Sequence, residues 1–132
     1  MAVLIKETST EKPKLMTVHK YKDEDTQVEK IVYASININV NELEDGTYEW
    51  DRLELPDYAL DNIYNADEET KYGVLIAHIV TSYYNNHDMT AIMSNYLLEP
   101  DNEKYKERFT NMQQLRRLAK DTVKQIIAEK LF

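Results

Sequence analysis

Hydrophobic residues follow two different periods along this chain, alternating every second residue before Pro56 and recurring every three to four residues after it. Residues 15–21 (LMTVHKY) and 27–40 (QVEKIVYASININV) read as strands around the charged turn Lys22-Asp23-Glu24-Asp25. In the second run Val28, Val32, Ala34, Ile36, Ile38 and Val40 fall on one face, and Glu29, Ser35, Asn37 and Asn39 on the other. Asp45-Gly46 is a turn signal, and residues 47–55 alternate again, with Tyr48 and Trp50 opposed to Thr47, Glu49 and Asp51. The pattern predicts an antiparallel meander of about three strands. So small a sheet must have its apolar face covered, by the C-terminal helices or by a second protein. Residues 1–14 read as an N-terminal arm. Its Val3-Leu4-Ile5 patch suits either an early edge strand or a tail that docks on another subunit.

After Pro56 the spacing is helical. A short turn of helix is expected through Leu60 and Ile63. Asn65 followed by Glu68 resembles a capping box for a helix from about Ala66 to Tyr84. On that helix Tyr72, Leu75, Ile76, Ile79, Val80 and Tyr83 form the buried stripe, and Gly73 is expected to admit a close neighbour. A second helix starts near His87-Asp88 and is expected to bury Met89, Ile92, Met93, Tyr96 and Leu97 before Pro100. The last runs from Asp101 or Asn102 to about Leu131, ~30 residues and roughly 45 Å. Two readings of it stay open: part projects to pair with another chain, or it bends near Thr122 and stays within one domain. The predicted fold class is α+β: an arm over 1–14, then a single domain over 15–132, with a β-meander (15–55) followed by a three-helix part (57–132) ending in a long helix.

Composition refines this picture more than it changes it. The 132 residues are 42% hydrophobic and 30% charged, as expected of one globular domain. Without cysteine there are no disulfides, thiolate nucleophiles or cysteine-bound zinc. No apolar run approaches the ~18 residues that span a bilayer, which predicts a protein made in the cytoplasm with no membrane partner. The net charge of −8 is uneven. Residues 1–56 carry 7 basic and 12 acidic groups, 57–100 carry 1 and 7, and 101–132 carry 8 and 5. An acidic body thus precedes a mildly basic end, which can steer association with a partner or another copy. The scarcity of cations elsewhere argues against nucleic acid as a partner.

Candidate chemistry is sparse. His19, His78 and His87 form no HExxH pattern, and each has a structural explanation: a strand position, the edge of a helix stripe and a helix start. Ser9, Ser35, Ser82 and Ser94 lack a nucleophile-elbow context, and Gly46 and Gly73 alone cannot form a phosphate-cradling loop. The acidic clusters 23–25, 42–45 and 67–69 fall at turns or a helix start, where capping or solvated roles suffice. The expectation is no catalytic residue, no metal, no cofactor and no small-molecule substrate. Arg116, Arg117, Lys120 and Lys124 form the one basic group of note: 116, 120 and 124 share a helical face and 117 adjoins it. That strip suits phosphates, an acidic protein surface or acids of the same chain. Val3, Leu4, Ile5, Tyr84, Arg116, Arg117, Lys120 and Lys124 are the candidate partner-binding residues.

The stretch 71–120 contains KYGVLIAHIVTSYY, NNHDMTAIMSNYLLEPDNEKY and FTNMQQLRRLAK. It resembles the C-terminal part of small uncharacterised proteins encoded by tailed bacteriophages and prophages of gut bacteria. The similarity is one of texture, carried by Tyr72-Gly73, the Tyr84–Asp88 joint, Ala91-Ile92, Asn95-Tyr96-Leu97 and Met112–Lys120, and it transfers no functional residue. It implies a noncatalytic structural or interaction protein of the virion, at a capsid, connector or tail junction, bound to other virion proteins or to copies of itself. The alternatives are an acidic regulatory inhibitor that imitates nucleic acid at a basic host site, and a small hydrolase using carboxylates.

Overall fold

The computed structural model describes residues 3–132, apart from the side chains of Val3, Asp57, Tyr58 and Asn62. Four strands, β1 (Val3–Ser9), β2 (Met16–Lys22), β3 (Glu29–Glu42) and β4 (Tyr48–Pro56), form one antiparallel sheet in the order β1-β4-β3-β2. Helix α1 (Asp57–Leu60) runs into a 3-10 turn (Asp61–Ile63), followed by α2 (Glu68–Tyr83), α3 (Asn86–Leu98) and α4 (Glu103–Ala128). The chain is an α+β protein whose sheet precedes three C-terminal helices, the last of them long.

The meander β2-β3-β4 follows from the alternating runs. Residues 3–9 add a fourth strand on its far side, pairing Leu4 with Leu53, Ile5 with Arg52 and Glu7 with Trp50. Of the two alternatives open for this segment, the structure holds the edge strand. Residues 10–15 must then cross the sheet from one edge to the other, about 14 Å for three strand spacings. Six residues reach ~20 Å, enough for the crossing without a long loop. Asn37 pins its far end: the backbone N–H donates to the Leu15 carbonyl at 2.8 Å and Nδ2 to the Lys14 carbonyl at 2.6 Å.

Strict alternation misplaces two valines on β3. His19 and Lys20 pair with Tyr33 and Ile31, which leaves Val32 as an extra residue on β3. A bulge reverses the parity of the strand beyond it. Ile31 therefore turns inward, 2% exposed, while Val28 and Val32 face out, 50% and 51% exposed. A second irregularity sets Asn39 and Val40 opposite Trp50, and Asn39 takes φ +55°, a left-handed conformation that asparagine tolerates better than most residues. At the β3–β4 turn Gly46 supplies φ +85°.

The core lies between one sheet face and the helices. Met16, Ile36, Ile38, Leu53 and Leu55 of the sheet meet Leu60, Leu75, Ile79, Ala119, Val123 and Ile126. The buried stripe of α2 is as expected, with Leu75, Ile79 and Val80 inside and Tyr72, Ile76 and Tyr83 against the core edge. Its cap is different. Asp67, not Asn65, accepts the Thr70 N–H at 2.7 Å, because the 3-10 turn and following bend carry the chain past Asn65 before helical geometry begins. Gly73 approaches no neighbour: a Cβ there would find no atom within 4 Å.

Helix α4 runs unbroken through Thr122, which is buried in the packing instead of marking a bend. Its 26 residues extend about 39 Å. It ends in a Schellman motif, with Lys130 N–H on the Ile127 carbonyl and Leu131 N–H on the Ile126 carbonyl. Lys130 holds the φ +54° position that glycine usually fills. Among the described residues no helix is long and apolar enough to cross a membrane.

Candidate interaction surfaces

Helix α4 is divided lengthwise by what its flanks touch. Met112, Ala119, Thr122, Val123 and Ile126 are its buried residues. At about 100° per residue Lys120, Lys124 and Arg117 turn away from that face, and Arg116 lies at its edge. Lys120, Lys124 and Arg117 are exposed and Arg116 is half-buried. The chain's recorded ion pairs join Lys6 to Glu49 and Asp51, and Arg52 to Glu7 and Glu54. Among the described residues none of these pairs reaches the α4 strip, where Asp121 lies four residues after Arg117 and three before Lys124.

The opposite flank of α4 closes a cleft of about 630 Å³. Leu118, Thr122 and Gln125 form one wall, and Leu15, Asn37 and Val40 belong to the other, where β3 runs on past the start of β2. Lys12, Lys14 and Glu129 are its charged lining residues, and no histidine or pair of carboxylates lines it. The cleft thus offers shape, amide groups and a few charges at its lining.

Helix α3 was expected to bury five residues. Among its described residues none is fully buried. Asn85 caps it by accepting the Asp88 N–H at 2.7 Å, and the Tyr96 ring stacks on Phe109 of α4 with centroids 4.2 Å apart. Met89 reaches the core edge, but Met93, Leu97 and Leu98 stay outside, Leu97 and Leu98 at 75% and 81% exposure. Their spacing fits a stripe; the other half of the contact is absent because this part of α3 lies over the first turns of α4 and not over the sheet. The end of the α3–α4 hairpin is thus the most exposed apolar surface among the described residues.

The remaining candidates are scattered. The side chain of Val3 lies outside the described residues. Leu4 and Ile5 are each 36% exposed on opposite faces of β1, so they form an edge and not one patch. Tyr84 is half-buried where α2 ends. Tyr64, by contrast, packs at the core edge with Lys20 Nζ 4.5 Å from its ring centre. His19 stacks on Tyr33 at 4.1 Å on the sheet surface.

Sequence reasoning missed one polar cluster. Tyr83 of α2 donates a hydrogen bond to Asp51 Oδ2 at 2.5 Å, and Lys6 of β1 lies 3.3 Å from Asp51 Oδ1. Burial, then the hydrogen bond to Asp51 and its negative charge, push the Tyr83 phenol well above its ordinary value. A tyrosine held neutral in this way is a poor base at neutral pH; the cluster pins an edge strand and a helix to β4. Pairing across 45 residues leaves no local signal that could have revealed it.

Each acidic cluster divides its carboxylates between two roles. Asp23 accepts backbone N–H groups from Thr26 and Asp25, Asp45 accepts from Thr47, and Asp67 accepts from Thr70. These bonds hold all three below the usual aspartate value. Their neighbours Glu24, Asp25, Glu42, Glu44, Glu68 and Glu69 are exposed, with no ion pair among the described residues. Among the described residues no group of three or more His, Asp or Glu side chains is placed to hold a metal ion. No protein-family model, no curated protein and no solved structure matches this chain.

Proposed function

We propose that this protein is noncatalytic and works by binding other proteins, as a structural component of a tailed phage virion at a capsid, connector or tail junction. The observation that carries the interaction reading is the α3–α4 hairpin, which leaves Leu97 and Leu98 in water at its end. A second feature supports it: a row of cations on α4 that makes no ion pair among the described residues. Sheet and core supply a body that presents both surfaces. The phage assignment rests on the resemblance of residues 71–120 described above.

A nucleic-acid mimic would concentrate carboxylates on one face. Here two of the three acidic clusters sit at opposite ends of β3 and the third at the start of α2, which favours the structural reading. Mass spectrometry of intact virions, made by a host carrying the gene, tests it. The chain should be recovered at a fixed copy number per particle; particles that lack it would sink the proposal.

A further inference from the structure

The cations of α4 have a complement of matching kind within the same sequence. The β3–β4 turn and its flanks carry Glu42, Glu44, Asp45 and Glu49 about Leu43, and among the described residues the cation paired with them is Lys6, 4.0 Å from Glu49. Leu43, flanked in sequence by Glu42 and Glu44, is itself 38% exposed. The other two acidic clusters are less purely negative. Lys22 and Lys30 flank the β2–β3 turn, where Lys30 already acts on Asp23. Glu68 and Glu69 face the positive end of α2, with Lys71 one position beyond Thr70.

The chain is not arranged to bring its own tip to its own strip. The end of β3 leads into this tip, and its residues Asn39 and Val40 share the cleft with Leu118, Thr122 and Gln125 on α4. Leu118 points roughly 160° around the helix from Lys120, so β3 lies beside the flank opposite the cations. The two charged surfaces face apart within one molecule.

We propose that the β3–β4 tip of a second copy docks on the Arg116–Lys124 flank of α4, joining copies head to tail. The inference rests on the interaction reading above and names the partner as the chain itself. The strip from Arg116 to Lys124 is ~12 Å long, enough to span one hairpin tip. Arginine and lysine stems beside the strip offer apolar surface to Leu43. Because tip and strip are different patches, the contact is heterologous and builds a ring or an open row of subunits. A net charge of −8 opposes approach from afar, yet with a screening length of ~8 Å at 0.15 M salt the contacting groups decide the outcome.

Sedimentation velocity of the full chain, from micromolar to several hundred micromolar, tests this at 0.15 M and 1 M NaCl. The expected result is a mass that rises with concentration at 0.15 M and returns to the monomer at 1 M. Two charge-reversed proteins, K120E/K124E and E42K/E44K, should each dissociate about tenfold more readily or worse. Mixing them should restore association, since each then offers what the other lacks, while circular dichroism confirms that both are folded. A monomer under every condition, or association untouched by either reversal, overturns the proposal. So does binding of heparin through the strip, which would assign the cations to a polyanion. If the chain is found in virions but sediments as a monomer, this inference fails and the structural reading stands.

Discussion

The two halves of α4 experience different surroundings although they share one helix. From Met112 onward the helix loses Ala119, Thr122, Val123 and Ile126 to the interior; before Met112 it buries nothing completely among the described residues and packs on α3, where Phe109 stacks on Tyr96. Burial supplies most helix stability in proteins, so the first half persists largely because the second is anchored. The difference separates a part that maintains the fold from a part free to meet something else.

The sharpest way to break that contrast is a matched pair of truncations. Ile126→Ala, at a position with no exposure, should cost about 2–5 kcal/mol in urea denaturation. Leu97→Ala, in the exposed end of α3, should fall within about 0.5 kcal/mol of the parent. Similar losses for both would show that the hairpin is part of the cooperative core. Amide hydrogen exchange sharpens the same point: amides in 88–108 should open at free energies well below those of 116–127, in separable units. Uniform protection along α4 would remove the distinction.

Much of this division was visible in residue spacing, and its failures have specific causes. The stripe of α2 was readable because regular period and burial coincide there. Met93 and Leu97 kept the period but lost the partner surface, and periodicity reports a stripe without saying what covers it. Val28 and Val32 failed for another reason: one inserted residue reverses strand parity, and no local residue type announces a bulge after Val32. The α4 strip was found by its spacing. The Lys6–Asp51–Tyr83 cluster was not, since it joins three elements far apart in sequence.

Smaller effects test individual fittings. Lys130→Gly should stabilise the end of α4 by up to about 1 kcal/mol, because glycine occupies the left-handed position without a Cβ penalty. Gly73→Ala should add roughly 0.5–1 kcal/mol, given the open space around the position; a loss in melting temperature would mean that something approaches α2 there. The smallest expected effect is that of pH. The Asp67 carboxyl titrates below its ordinary 3.8, so its contribution is present above that pH and fades as the medium becomes more acidic. Asp67→Asn keeps a cap acceptor and should flatten part of the decline in stability between pH 5 and 2.

The placing of β1 also has a consequence for how the protein is made. Its partners are residues 48–54, so during synthesis this segment has no partner strand until forty to fifty more residues have followed. During that interval Leu4 and Ile5 travel exposed while the hairpin of β2 and β3 can already close. Seating this strand therefore waits for β4 and can follow closure of the β2–β3 hairpin. In a crowded polysome, a neighbouring nascent chain offering the same β4 groove could capture it first.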